Sequence, residues 1–228
     1  MNPIYILAAS DGTPLTKTYR LVDGRLEKSP YPHVFAFSSF EETPMDLRHL
    51  ARILEKHSTR GKCLLKGKLN RPLHNESRAG STITDAPTDW ICLDIDYMPG
   101  ITSAEDFLKM LPDYMHDVSY VVQLSASSGI DKDRGFSAHI FMELSEPVPA
   151  PQLKVWLKSL NLNTRLRDYL RLNRAGTALR WPMDISTCQN DKLIYIAPPD
   201  VSPNLKRKLP DKRIFYVRHA KAVLDVTP

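Results

Sequence analysis

The sequence predicts a mixed fold of strands and helices, α/β or α+β rather than a doubly wound sheet. Three observations carry that reading. Strand-like runs and amphipathic helical runs follow one another in irregular order along the 228 residues. The chain holds neither GxGxxG nor GxxxxGKS/T, so dinucleotide-binding and P-loop folds lack their phosphate loops. Its length suits one sizeable domain or two small ones, and 42% hydrophobic residues suffice to fill a core.

Residues 3–9 (PIYILAA) read as a first strand and not a signal peptide, because no basic stretch precedes a long apolar run. Residues 17–22 follow a turn, and Asp23-Gly24 marks another before Arg25-Leu26. Residues 33–39 (HVFAFSS) form a further strand. Thr43-Pro44 has the form of an N-cap with proline at the first helical position. Leu47, Leu50, Ile53 and Leu54 then recur at helical spacing, which predicts an amphipathic helix over 44–57. Gly61 to Gly80 reads as a short strand and a polar loop, and 89–97 (DWICLDIDY) as a buried strand. Thr102 or Ser103 caps a helix to about residue 111, with Phe107, Leu108 and Leu111 on its apolar side. Residues 119–125 and 136–144 are strands joined by the loop SASSGIDKDRG. After Pro147 and Pro149, residues 151–172 are helical in two pieces, interrupted near Asn161-Leu162-Asn163. Residues 192–197 (KLIYIA) give a late strand that Pro198-Pro199 ends. The pattern fades past residue 217, so 1–217 is the expected domain and 218–228 a tail or the start of a linker.

No apolar run approaches the roughly 20 residues of a membrane span, so no membrane partner is expected. Cys63, Cys92 and Cys188 are scattered and odd in number, which argues for a reducing, cytoplasmic compartment. Without a CxxC or CxxH pair, no zinc is expected either. The net charge of +5 is compatible with a polyanionic partner, and its distribution says more. Lys62, Lys66, Lys68, Arg71 and Arg78 form one basic segment; Lys206, Arg207, Lys208, Lys212 and Arg213 form another. Either is compatible with a plain solvated surface. The lysines of the first alternate along an apparent strand and would share one face.

The chemistry concentrates in three places. Leu93-Asp94-Ile95-Asp96 ends an apolar strand, so Asp94 and Asp96 project the same way while Leu93, Ile95 and Tyr97 face oppositely. Two carboxylates about 7 Å apart at their Cα atoms can converge on a hard cation. A solvent-facing strand end would also explain them. In FSAHIFMEL, Ser137, His139 and Phe141 share a face. A satisfied core histidine is the plain alternative, but a loop with Ser125, Ser127, Ser128 and Gly129 precedes it and offers hydroxyls and N–H groups to phosphate oxygens. Lys132 and Arg134 would add charge there. Asp184 follows Met183 and precedes the strand KLIYIA, which would return a third carboxylate to the same place. Asp191 competes for that role but reads as turn chemistry, and Asp168 as a surface residue on a charged helix.

Taken in order, LDID at 93–96, SAH at 137–139 and MD at 183–184 resemble the signature of the archaeo-eukaryotic primase superfamily, in particular the primase–polymerases of phages, plasmids and other mobile elements. The resemblance covers roughly residues 60–200. It implies an α+β fold, an RRM-like mixed or antiparallel sheet unit packed with an N-terminal α/β unit. It implies that Asp94, Asp96 and Asp184 hold two Mg²⁺ or Mn²⁺ ions, that His139 contacts the phosphates of an NTP or dNTP, and that Ser137, Ser125, Ser127 and Ser128 support the triphosphate. By the same resemblance Lys66 would meet nucleotide, and Lys68, Arg71 and Arg78 nucleotide or template. Arg174, with Arg165, Arg167 and Arg171, would hold a single-stranded DNA template, and a replicative helicase is an expected partner.

Two other readings compete. A DxD glycosyltransferase would use Asp94 and Asp96 but leave His139 and Asp184 without a role. A non-catalytic replication initiator would bind DNA through its basic segments, for instance by a helix-turn-helix within 151–176.

Overall fold

Two antiparallel sheets organise the chain, and the apolar alternation of their strands decides what packs against each face. The computed structural model describes residues 1–130 and 135–226, without the Arg207 side chain; Lys132 and Arg134 therefore lie outside the described residues. In chain order the elements are β1 (Ile4–Ala9), β2 (Thr18–Val22), β3 (Arg25–Ser29), β4 (Phe37–Glu42), α1 (Leu47–His57), β5 (Lys62–Leu65), β6 (Thr88–Met98) and α2 (Ala104–Leu108). There follow β7 (Tyr120–Leu124), β8 (Phe136–Val148), α3 (Ala150–Asn163), β9 (Arg171–Leu172), β10 (Leu179–Arg180), β11 (Leu193–Ile194), β12 (Asp200–Val201) and β13 (Ile214–Val217). The fold is mixed α+β.

The first sheet has the order β11-β5-β1-β4 and the second β13-β7-β8-β6, each antiparallel throughout. Two small sheets, β12-β2-β3 and the ribbon β9-β10, are attached to them. α1 places Leu50, Ile53 and Leu54 in one core with Ile4, Ile6 and Leu64 of the first sheet and Cys92, Val121 and Phe141 of the second. The opposite face of the second sheet carries Leu93, Ile95, Ala138, Ile140 and Met142, buried under Phe107 and Leu108 of α2 and Leu153, Leu157 and Leu160 of α3. Alternation along β6 and β8 thus separates two cores, as expected of strands buried on both faces.

Several boundaries differ from expectation for local reasons. α1 starts at Leu47 and not near Thr43, because the Asp46 carboxylate accepts the His49 N–H at 2.6 Å and caps the helix there. Of the two possible caps for α2, Ser103 does the work. The helix expected over 151–172 ends at Asn163; Thr164 then caps a 3-10 turn over Arg165–Tyr169, and the chain continues as the ribbon β9-β10. No helix-turn-helix forms over 151–176. The lysines expected to share a strand face do not, because β5 stops at Leu65. Gly67 lies so close to Asn190 that a Cβ on it would come within 2.3 Å of the Asn190 Cβ, and the Gly67 N–H donates to the Asn190 carbonyl.

Residues 218–226 are packed against the second sheet. Lys221 bridges to Val118 and Leu224 to Leu144, and the Leu224 side chain is fully buried beside the second sheet. Val223, Leu224 and Val226 are too few and too closely spaced to show a helical or strand period, which is why the sequence pattern fades there. No described helix is long and apolar enough to cross a membrane.

Candidate active-site cleft

Register brings the first two motifs together. β6 and β8 pair with Asp94 opposite His139 and Ile95 opposite Ala138. Pro182–Asp184 then lies on the other edge of β6: the Asp96 N–H donates to the Pro182 carbonyl at 3.2 Å and the Asp184 N–H to the Asp94 carbonyl at 2.8 Å, with Ile95 and Met183 bridged between them. Asn161 of α3 fixes this segment from below. Its side-chain amide donates to the Met183 carbonyl at 3.0 Å and its Oδ1 accepts the Met183 N–H at 3.2 Å. Being fully buried, Asn161 holds these groups away from water, where a backbone donor or acceptor without a partner is costly. The residue read as a helix interruption is therefore the clamp that delivers Asp184.

The three carboxylates line one cleft of about 450 Å³, together with Ser125, Ser137 and His139. A larger groove of about 590 Å³ beside α3, walled by Pro112, Val155 and Trp156, has no charged side chain in its lining; the groups able to do chemistry are in the smaller cleft.

Each polar group in the cleft is held. His139 Nδ1 lies 2.5 Å from Gln123 Oε1, and the Gln123 amide donates to the Leu124 carbonyl, so the imidazole donates from Nδ1. Nε2 faces Asp94 Oδ1 at 3.4 Å and donates to it only as the imidazolium. Burial pushes the Asp94 carboxyl up, but His139, Lys192 and Lys17 together outweigh it and hold the group below the usual carboxylate range. Ser137 Oγ bonds to the Ile95 carbonyl at 3.2 Å and approaches Asp96 Oδ1 at 3.4 Å. Behind it Ser127 joins Ser125 and Ser137, and Ser128 Oγ donates to the Ser137 carbonyl. Ser127 and Ser128 thus back the cleft without lining it.

Asp184 caps the 3-10 turn Ile185–Cys188, accepting from the Ser186 N–H at 2.8 Å and the Ser186 hydroxyl at 2.7 Å. Lys192 Nζ lies 2.9 Å from the same carboxylate. Among the described residues no three His, Cys, Asp or Glu groups are gathered as a metal cage. The donor set itself fits a hard divalent cation, because three carboxylates from adjoining segments face one cleft. Lys192 supplies positive charge at the position of Asp184 that such a cation would otherwise supply.

The aromatic part of the lining was not foreseen. Tyr31 and Tyr195 stack with ring centroids 3.6 Å apart at 10°, and Lys17 Nζ lies 4.8 Å from the Tyr31 ring. Trp181 and Arg180 complete it. Tyr195 had a signal in KLIYIA, where it alternates with buried Ile194 and Ile196; Lys192, Lys17, Tyr31 and Gln123 had none.

None of the basic residues expected to meet nucleotide or template lines the cleft. Lys66 is only 1% exposed, and its ammonium donates to Thr88 Oγ1 at 2.6 Å and to the Trp90 carbonyl at 2.9 Å. It belongs to the interior and not to nucleotide contact, since the chain turns inward where β5 ends. Lys68 and Arg71 are exposed outside the cleft, Arg71 pairing with Glu76 at 2.5 Å. Arg78 donates to the Asp191 carbonyl at 2.8 Å. Arg174 is exposed in the turn of the β9-β10 ribbon, while Asp168 and Asp191 stay outside the cleft. Compared with protein-family models, curated proteins and solved structures, the chain has no match.

Proposed function

We propose that this chain is a template-directed nucleotidyltransferase, a DNA primase–polymerase that makes or extends primers on single-stranded DNA. One observation carries the reading: Asp94, Asp96, Asp184, His139 and Ser137, drawn from three separated motifs, line a single cleft. A glycosyltransferase reading uses only the first pair. The antiparallel sheet β13-β7-β8-β6 under α2 and α3, joined to a unit built around β1, β4, β5 and α1, supports an RRM-like catalytic unit packed with an N-terminal α/β unit.

On this reading Asp94, Asp96 and Asp184 hold Mg²⁺ or Mn²⁺. Bound there, the cations stabilise the attacking and leaving oxygens of an in-line displacement. The rest is the chain's own work. Ser125 and Ser137 offer hydroxyls to phosphate oxygens, and Gln123 orients His139 so that Nε2 points into the cleft. Lys192 and Lys17 add positive charge toward a triphosphate. Tyr31, Tyr195 and Trp181 give the cleft an aromatic surface on which a base or sugar can rest. An intracellular site of action and a helicase partner go with this reading.

The Lys192–Asp184 pair favours a second reading, a non-catalytic replication initiator whose acidic cleft is neutralised within the chain. Incorporation of labelled nucleotides on single-stranded DNA with Mg²⁺ or Mn²⁺, with and without a primer, decides between them. Asp94→Ala with Asp96→Ala is expected to lower incorporation by about 10² or more while leaving the fold intact. Retained activity in that variant would sink the metal assignment, and a wild-type chain that binds DNA but incorporates nothing would leave the initiator.

A further inference from the structure

β2 and β3 form a hairpin arm that rises from the wall of the cleft. Lys17 before the first strand and Tyr31 after the second both line the cleft, while all five residues of β3 are exposed. In the order β12-β2-β3 the last strand is the edge, and among the described residues no strand pairs with its outer side. Asp23 and Gly24, at φ of +48° and +75°, close a two-residue turn, so Val22 and Arg25 are the hydrogen-bonded pair beside it. Alternation then turns the N–H and C=O groups of Leu26 and Lys28 to the outer edge. On one face Leu21 stands opposite Leu26, 40% and 41% exposed; on the other, Arg20 stands opposite Glu27 and Val22 opposite Arg25. The arm thus joins an edge able to extend a ladder with an apolar pair left in water, a combination that proteins ordinarily cover or blunt. Its charges are mixed, with Arg25 and Lys28 against Asp23 and Glu27, and Arg20 is paired with Asp200 at 2.9 Å. That balance suits a protein strand and not a polyanion.

The residues of β3 indicate which strand. In an antiparallel ladder with two-fold symmetry, one residue faces its own copy and the residues flanking it face each other crosswise. Centred on Leu26, the ladder sets that residue against Leu26 of the second copy, and the two exchange their outward hydrogen bonds. Arg25 then lies opposite Glu27 of the second copy, and Glu27 opposite its Arg25. One face carries an unbroken row of leucines, Leu21 and Leu26 from each copy; the other sets each Glu27 between its own Arg20 and Arg25 of the second copy. Centres on Arg25, Glu27 or Lys28 would put like charges face to face, and one on Ser29 brings in Pro30, which has no N–H to donate. We infer that the chain forms a two-fold dimer in which the β3 edges of two copies pair antiparallel about Leu26. The turn at Asp23-Gly24 and Pro30 bound the ladder, so the contact is small and the dimer weak and concentration-dependent.

Sedimentation equilibrium of the full chain over a concentration series tests this, and the mean mass is expected to rise from monomer toward dimer. Arg25→Glu puts like charges at both flanks of the ladder, as does Glu27→Arg, and each alone is expected to raise the dissociation constant about tenfold or more. Within its own hairpin Arg25 faces only Val22, so Arg25→Glu leaves the internal pairing of the arm without a new charge clash. Mixed in equal amounts, the two single variants are expected to associate with each other. The double variant, Arg25→Glu with Glu27→Arg, is expected to associate with itself, because opposite charges again meet across the axis. A loss of fold would not be reversed by mixing. A wild-type chain that stays monomeric up to about 1 mM would overturn the dimer. Association that persists unchanged in both single variants, or that neither the mixture nor the double variant recovers, would overturn the pairing about Leu26. Either result leaves the reading of the cleft as it stands.

Discussion

Replacing Lys66 with methionine is expected to stabilise the chain near neutral pH and to remove a pH dependence that the wild type carries. Burial pulls the Lys66 ammonium down from an ordinary 10.5 to about 7. Between those values the unfolded chain holds a proton that the folded chain releases. The contribution of this group is therefore complete above the unfolded value and is lost as pH falls toward the folded one. Its slope is about 1.4 kcal/mol per pH unit, which makes the full penalty below neutral pH on the order of 5 kcal/mol. The bonds to Thr88 and Trp90 and the indole face 4.3 Å away offset part of it. Methionine keeps most of the stem volume, and Thr88 Oγ1 already lies 3.4 Å from the Trp90 carbonyl, so that acceptor keeps a donor.

Urea unfolding of both proteins from about pH 7 to about pH 9 isolates the effect, because every other titrating group cancels in the difference. The stability of the wild type relative to Lys66→Met is expected to rise by about 2–3 kcal/mol across that window. A difference that stays flat would mean that Lys66 titrates at its ordinary value and that water reaches it. Nucleotide affinity is the second readout, since a loss in Lys66→Met would return the residue to the binding site.

Two further substitutions probe the cleft. His139→Ala is expected to weaken nucleotide binding about tenfold or more, and Gln123→Ala to weaken it less, because Gln123 does not line the cleft and acts through the imidazole; equal wild-type affinities in both, measured by titration calorimetry, would return His139 to a structural role. Lys192→Met is expected to tighten Mn²⁺ binding severalfold by freeing Asp184, read from the spin-resonance signal of the free ion, while weakening triphosphate binding. Unchanged Mn²⁺ affinity there would show that Asp184 is not a ligand.

The legible part of the molecule was what periodicity and chain order encode. Alternation around Asp94 and His139 put both on the right faces, and the strong strands and α1 were found within a few residues. What failed was set by distant partners. Nothing local distinguishes Asn161 as a clamp for Met183, since its partner is 22 residues away. Lys66 looked like its exposed neighbour Lys68, because only the turn at Gly67 against Asn190 separates the two. The helix expected over 151–172 takes in the first strand of the ribbon, and the second strand carries no reading at all. The ribbon's strands are two residues each, too short for alternation to show.

The electrostatics of the cleft bear on how it would pass from rest to work. Three carboxylates face one space, and groups of the chain itself lie against them, Lys192 beside Asp184 and His139 beside Asp94. On the proposed function, a divalent cation arriving with a triphosphate would bring compensation of its own, so the Lys192 ammonium would no longer have to neutralise Asp184 and its charge would become available to the phosphates. The net charge of the filled cleft would then change little. Metal and triphosphate should therefore bind with positive coupling, each removing the cost of the other. A measured affinity for Mn²⁺ that is the same with and without triphosphate would break this exchange, and with it the role given to Lys192.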